Sequence, residues 1–189
     1  MKAIVQDGYG SADVLQLRDV ADPVVGEGDV LVRVHAGGCG PDVWHMMTGL
    51  PYFARMMPEV RKALRAPRGR DVAGVVEAVG SKVTNLRPGD EVMGIVEGSF
   101  AELAIAKPDK LVPKPGRLTF EQTAAVPISG LTALQALRDV AEVRSRQTVL
   151  VIGAGGGVGT FAVQIAKALG AQVTGVCSGE HGRSSMPTS

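Results

Sequence analysis

Period-two alternation governs the first part of the chain. In "DVLVRVHA", residues 29–36, Val30, Val32 and Val34 fall on one face and Leu31, Arg33 and His35 on the other, the pattern of a half-buried strand. "DVAGVVEAVG" (71–80) and "DEVMGIVEG" (90–98) are short β-branched runs bounded by glycine. Between them, "RPGD" (87–90) predicts a tight turn, because Pro88 presets φ and Gly89 tolerates a positive one. "PDKLVPKPG" (108–116) carries three prolines and reads as extended and irregular. After the strand at 29–36, Cys39, Trp44, His45 and Tyr52 read as loop residues.

The period changes near residue 118. Thr119 stands three before Gln122, the spacing of a capping box for a short helix ending before Pro127. In "SGLTALQALRDVAEV" (129–143), Leu131, Leu134, Leu137 and Val140 recur every third residue and predict one stripe of an amphipathic helix. The apolar run Val149 to Ile152 has the character of a strand buried on both faces of a parallel sheet. Helical spacing returns with Val158, Phe161, Ile165 and Leu169, closed by Gly170 as a C-terminal cap, and "QVTGVC" is a second strand. Strand, glycine turn, helix and strand make one βαβ unit.

The glycine turn carries the chemistry. "AGGGVG", residues 154–159, fits A-x-G-x-x-G, a dinucleotide fingerprint in which Ala154 replaces the first glycine. Gly156 leaves room for a pyrophosphate against the backbone, and Gly159 lets the helix pack closely on the strand. The helix N-terminus adds free N–H groups and positive dipole. The cofactor-binding set is therefore Ala154, Gly155, Gly156, Gly157, Val158 and Gly159, with Ser178 at the end of the second strand. That strand ends in Val176, Cys177 and Ser178, with no acid before Glu180 to take a ribose 2′-hydroxyl, which favours NADP(H) over NAD(H). Arg183 faces two readings, a partner for the 2′-phosphate or a solvated tail residue.

Composition narrows the class. The 189 residues are 45% hydrophobic and 21% charged, enough apolar material for a core and too little charge for a disordered chain. A net charge of +1 and 4% aromatic residues argue against nucleic acid and against an anionic membrane surface as partners. Two distant cysteines, Cys39 and Cys177, make no disulfide scaffold. Asp7 interrupts the N-terminus before any apolar signal core, and no run of about 18 apolar residues appears, so the expected location is cytoplasmic.

Four segments then carry a resemblance: "MKAIVQDGYGSADVLQLRDV", "GRDVAGVVEAVGSKVTNLRPGDEVMG", "FEQTAAVPISGLTALQAL" and "GGGVGTFAVQIAKALGAQVTGVCS". In this order they resemble the medium-chain dehydrogenase/reductase superfamily, in its zinc-independent, quinone oxidoreductase-like branch. The resemblance implies a mainly-β domain, a GroES-like β-barrel, over residues 1–117. An α/β part follows over 118–178, the first βαβ unit of an incomplete Rossmann domain, with an irregular, disordered tail over 179–189. It implies an active site in a cleft between the two domains. There hydride passes from NADPH to a small-molecule quinone, enone or carbonyl, and a homodimer is open to a chain whose Rossmann domain is complete.

The resemblance also fixes what to expect of single residues. Zinc-dependent relatives place a cysteine after "VRVHA" and a His-Glu pair after a glycine. Here Cys39 aligns with a small apolar position and the pair reads Arg70-Asp71 after Gly69, so no zinc is expected and no metal ligand is assigned. His35 and His45 read as a strand and a loop residue. The zinc-free branch often carries an asparagine before the loop proline, whereas this chain has Gly40 before Pro41. Thr132 matches a position lining the nicotinamide, or else is a plain helix-face threonine. Trp44 and Tyr52 are the substrate-cleft candidates, and Tyr52 is either a proton donor to a developing oxyanion or a packing residue. No catalytic acid or base is assigned. The basic segment 55–70, with Arg55, Arg61, Lys62, Arg65, Arg68 and Arg70 against Glu59, reads as a solvated helix and loop. With two Rossmann strands of six, the chain also admits a catalytically incompetent remnant, truncated near residue 178, or a GroES-like module that binds a partner.

Overall fold

The computed structural model describes residues 1–56 and 67–178, in two compact units, Met1–Pro127 and Ile128–Ser189. In the first unit, β1 (Lys2–Val5) and β2 (Gln16–Asp19) form an antiparallel hairpin. A larger antiparallel sheet takes β3 (Val30–Gly37), β4 (Asp71–Val79), β5 (Glu91–Ile95), β6 (Leu103–Ala106) and β7 (Leu111–Pro113) in the order β6-β3-β4-β5-β7. A bridge between Ala3 and Ala101 ties the hairpin to the strand end before β6. The alternation in β3 is kept. Val30 and Val32 are fully buried, and they pack with Val72, Val76, Val92, Val96 and Leu111 while Val34 leans on the cluster. A core this rich in valine suits a sheet, where branched Cβ atoms pack on the pleat at little rotamer cost. The turn at 87–90 is present, with Gly89 at φ 95° and the Asp90 N–H donating to the Arg87 carbonyl.

Several expectations are corrected here. Residues 41–48 are not loop: α1 (Pro41–Thr48) starts with Pro41 in its first turn and ends on Gly49, left-handed at φ 62°. Its partners explain the length, since Val43 and Met47, four apart, are both buried. Residues 108–113 are less irregular than their prolines suggest. A 3-10 turn over Pro108–Lys110 leads into β7, an edge strand where Pro113 withholds no needed donor. The Thr119 capping box forms in full. Its hydroxyl accepts from the Gln122 N–H at 3.2 Å, and the Gln122 side chain accepts from the Thr119 N–H at 3.1 Å. The short helix it opens, α2 (Phe120–Ala124), lies against β3 and β4 in the first unit, with Phe120 stacked on His35 at 4.3 Å.

In the second unit, α3 (Pro127–Leu134) runs into a π-helical turn, Gln135–Val140, with the Ala141 N–H bonded to the Ala136 carbonyl. Of the threefold stripe only Leu137 is buried. A step of three drifts about 60° around a helix with 3.6 residues per turn, so Leu131 and Val140 end exposed while Ala133 and Leu137, four apart, are buried. The strands β8 (Thr148–Ile152) and β9 (Gln172–Val176) are parallel and in register from Thr148–Gln172 to Ile152–Val176, with α4 (Gly157–Ala168) between them in sequence. Burial of β8 on both faces is not observed: Val151 is buried, whereas Leu150 and Ile152 are exposed. The helix α4 covers one face of the pair, and no described element covers the other. Gly170, at φ 82°, closes α4 with two bonds, its own N–H to the Lys167 carbonyl and the Ala171 N–H to the Ala166 carbonyl.

Candidate functional site

The glycine turn is built from its backbone outward. Gly153 leaves β8 at φ 81°, a conformation costly for any residue with a Cβ. The N–H groups of Gly153 and Ala154 both donate to the Val176 carbonyl, at 2.8 and 3.0 Å, which pins the turn to the end of β9. The Gly153 carbonyl then accepts the Gly156 N–H at 3.0 Å, and α4 starts at Gly157. No side chain caps α4. Its first N–H groups, on Gly157, Val158 and Gly159, have no carbonyl one turn back to bond, so they point outward as free donors at the positive end of the helix.

The two key glycines have opposite surroundings. A Cβ on Gly159 would collide with the Gly153 carbonyl, so glycine there is a condition of the helix lying on the strand. A Cβ on Gly156 would meet only that carbonyl oxygen, at 3.4 Å, an ordinary contact, so the fold itself does not require glycine. No other atom lies within 4 Å of that position, so the space beside the helix start is open. Ala154 packs toward β9, where a Cβ on Gly175 would lie 2.9 Å from the Ala154 Cβ. Gly153 in the turn and Gly175 facing it from β9 thus both shape the site although the fingerprint does not mark them. The signal for Gly153 was its place directly after the apolar run, where a strand must reverse into a helix. Gly157 faces Ser129, whose hydroxyl is 3.1 Å from the position of the missing Cβ. Ser178 follows β9 by two residues and is exposed, beyond the Val176 carbonyl that anchors the turn.

Thr132 lies on α3 and is exposed, with its hydroxyl donating to the Ile128 carbonyl at 2.7 Å. That bond occupies its one proton and leaves the oxygen's remaining lone pairs outward. Trp44 and Tyr52 belong to the first unit. Trp44 is a helix residue of α1, 48% exposed and edge-on to His45, and Tyr52 opens a 3-10 turn, Tyr52–Met56.

Where it is described the basic segment is only partly a solvated face: Arg70 is exposed, whereas two of its arginines are engaged by the fold. Arg55 bonds two backbone carbonyls, and Arg68 is buried. Arg61, Lys62, Arg65 and Glu59 lie outside the described residues, as do Glu180 and Arg183. The residues weighed against zinc are dispersed in role: Cys39 is an exposed thiol, His35 stacks on Phe120, and His45 places Nδ1 2.8 Å from the Leu50 carbonyl. Among the described residues no group of three or more His, Cys, Asp or Glu side chains is arranged to hold a metal ion, and no helix is long and apolar enough to cross a membrane.

Comparison with known proteins agrees with this geometry. Residues 26–116 match the alcohol dehydrogenase GroES-like domain. The chain is 40% identical over 186 residues to the quinone oxidoreductase of Mus musculus, covering 97% of this chain and 54% of that protein. Among solved structures, the quinone oxidoreductase of Coxiella burnetii superposes with a TM-score of 0.86 at 36% identity, over 95% of this chain and 57% of that one. The Escherichia coli quinone oxidoreductase complexed with NADPH superposes with a TM-score of 0.85 at 29% identity, over 98% of this chain and 55% of the other. The chain spans about half the length of the curated relatives it matches.

Proposed function

Because the chain belongs to the medium-chain dehydrogenase/reductase superfamily, in its quinone oxidoreductase-like branch, we propose that it serves an NADP(H)-dependent oxidoreductase acting on a quinone, enone or carbonyl without zinc. Residues 1–117 form its GroES-like, substrate-side domain, and 118–178 open the Rossmann domain. The activity is that of an enzyme of the relatives' full length, of which this chain carries the substrate-side domain and the pyrophosphate turn. The observation that carries the reading is the uncapped start of α4, held open by Gly156 and tied to β9 through Val176.

These residues fit a dinucleotide. The N–H groups of Gly157, Val158 and Gly159 would hold the pyrophosphate, with Gly156 admitting it and the helix dipole favouring its charge. Among the described residues β9 ends without a carboxylate through Ser178, which leaves the ribose end free of the charge that would repel a 2′-phosphate. When bound, NADPH supplies a hydride from its nicotinamide C4. Trp44 and Tyr52 would present the substrate, and Thr132 would offer its remaining lone pairs to the carboxamide side of the nicotinamide. The zinc-free part of the reading rests on the donor set, in which Arg70 and Asp71 follow Gly69 where an imidazole would be needed.

Titration of the folded chain with NADPH, followed by cofactor fluorescence, tests this. Gly156→Ala should keep the wild-type melting curve and weaken NADPH about tenfold or more, the worth of one charge-assisted hydrogen bond lost to the methyl group. Gly159→Ala should instead lower stability by about 1–3 kcal/mol through its clash with the Gly153 carbonyl. NADH should bind more weakly than NADPH. Equal NADPH affinity for wild type and Gly156→Ala would remove the turn from cofactor binding. A folded wild-type chain that binds no NADPH would leave the catalytically incompetent remnant or the GroES-like binding module as the better reading.

A further inference from the structure

Arg55 is fixed more firmly than an arginine on a basic stretch needs to be. Its Nε donates to the Gly49 carbonyl at 3.1 Å and its Nη2 to the Thr48 carbonyl at 3.0 Å. Both acceptors belong to the C-terminal end of α1, where carbonyls lack helical partners and the dipole favours a cation. Two donors engaged at once set the plane of the guanidinium. Two tyrosine rings then pack on it, with the Arg55 Cζ 4.6 Å from the centre of the Tyr9 ring and 4.8 Å from that of Tyr52. Gly49 is what lets them meet. A Cβ there would lie 2.7 Å from Cδ1 of Tyr9 and 2.8 Å from Nε of Arg55.

Tyr52 is nevertheless 72% exposed. A tyrosine held against a cation while most of its ring faces solvent gains little by burial and gives up rotamer freedom. That cost is recovered when a ligand uses the ring, because a fixed platform need not be ordered again on binding. Trp44, on the helix whose end Arg55 caps, and Phe53, next in sequence to Tyr52, are exposed as well.

We propose that Arg55 is a positioning residue that holds the Tyr52 ring as a stacking platform, and that this platform selects flat, fully conjugated ring acceptors such as quinones over aliphatic enones and carbonyls. A quinone ring is planar and electron-poor, and stacks in offset fashion on the electron-rich face of a phenol. An aliphatic enone has no comparable face. Lysine cannot replace Arg55 in this role, since an ammonium has neither the fixed fork that bonds Gly49 and Thr48 together nor a plane for the rings. The choice of a quinone as the flat ligand rests on the oxidoreductase reading above, whereas the ring geometry does not.

The full chain offers a local probe, because Trp44 is its only tryptophan and its carbonyl accepts the Thr48 hydroxyl within α1. Quenching of Trp44 by naphthoquinone gives that ligand's affinity, and displacement by cyclohexenone gives the enone's. Tyr52→Phe should bind naphthoquinone as the wild type does, since it keeps the ring and loses only the hydroxyl. Tyr52→Leu and Arg55→Lys should each bind it about three- to tenfold more weakly, the worth of one aromatic stack, with cyclohexenone unchanged. Tyr52→Leu leaves the α1 cap intact and so keeps the test sound if Arg55→Lys fails to fold. Wild-type affinity in both variants, equal weakening of both ligands, or no quenching of the wild type by naphthoquinone would overturn the proposal. Selective naphthoquinone binding by a chain that takes no NADPH would uphold the platform and overturn the oxidoreductase reading instead.

Discussion

Arg68 shows what a single buried charge does to this fold. It is 3% exposed, and its Nε and Nη2 have no hydrogen-bond partner. Its backbone is fully engaged: the N–H donates to the Ile4 carbonyl and the carbonyl accepts from the Phe100 N–H. The main chain thus fixes the residue between the β1 end and the stretch before β6, whatever side chain it carries. Burial pushes the guanidinium below its ordinary value, and the neighbouring Tyr9 acts in the opposite direction. A buried cation with two of its three nitrogens unsatisfied opposes folding, while an unbranched apolar side chain of similar length fills the same space without that cost. Arg68→Met should therefore leave stability unchanged or raise it by about 1 kcal/mol, read from urea unfolding at neutral pH. A loss of comparable size would mean that the guanidinium has a stabilising partner in solution. The same logic separates Gly156 from Gly159. Both are glycines of one motif, yet one is required by the packing of the helix and the other only by whatever approaches from outside.

At the level of elements, local chemistry is most decisive where two groups satisfy each other. In the Thr119 box the two reciprocal bonds release two donors that α2 could not otherwise satisfy. Because α2 carries Phe120 onto His35, the cap also sets where that ring stacks. Thr119→Ala should cost about 1 kcal/mol in urea unfolding, and Thr119→Ser should recover most of it, since serine offers the same oxygen. If Ala and Ser behave alike, the cap contributes nothing and α2 is held by packing alone. This box was legible in the sequence because its spacing is its mechanism, and so were the turn at Gly89 and the double-bonded end at Gly170. The βαβ unit was legible for the same reason: strand, turn and helix each left their own period. Helix α1 was missed although Pro41 at its start and Gly49 at its end bracket it, because at eight residues it buries only Val43 and Met47, a single fourfold pair. The leucine stripe misled for a geometric reason. A repeat of three fits neither an α-helix nor the π-turn that follows, and only the fourfold pair Ala133 and Leu137 tracks the buried face. Of the candidate site, the glycine turn and the uncapped start of α4 were legible. The setting of Tyr52 was not, because its partners Arg55, Tyr9 and Gly49 meet only once α1 is folded.

On the scale of the molecule, the second unit carries the consequence of a sheet with one covered face. Val151 is buried under the helix side, while Leu150, Ile152 and Val176 lie on the opposite side at 60, 80 and 50% exposure. In-register pairing places Ile152 beside Val176, so the three form one apolar patch rather than scattered positions. An open hollow of mixed character, lined by Leu137, Val143, Val149 and Leu150 together with Gln147 and Thr148, lies along β8, whose only described strand partner is β9. Parallel sheets are stable with both faces covered, and an exposed patch beside an open strand edge invites association. The chain alone should therefore self-associate through this face, with its weight-average mass rising with concentration in light scattering. Replacing Leu150 and Ile152 together by lysine should hold the mass at the monomer value. It should shift unfolding by no more than about 0.5 kcal/mol, as expected for exposed positions. NADPH affinity should survive the change as well, because the turn is tied to β9 through the Val176 carbonyl, a backbone group that the substitutions leave alone. An associating lysine variant would move the contact to another surface, and a monomeric wild type would mean that the patch does not drive association on its own. If the patch drives it, a polypeptide supplying the part of the relatives that this chain does not span should suppress association of the wild type by covering the same face.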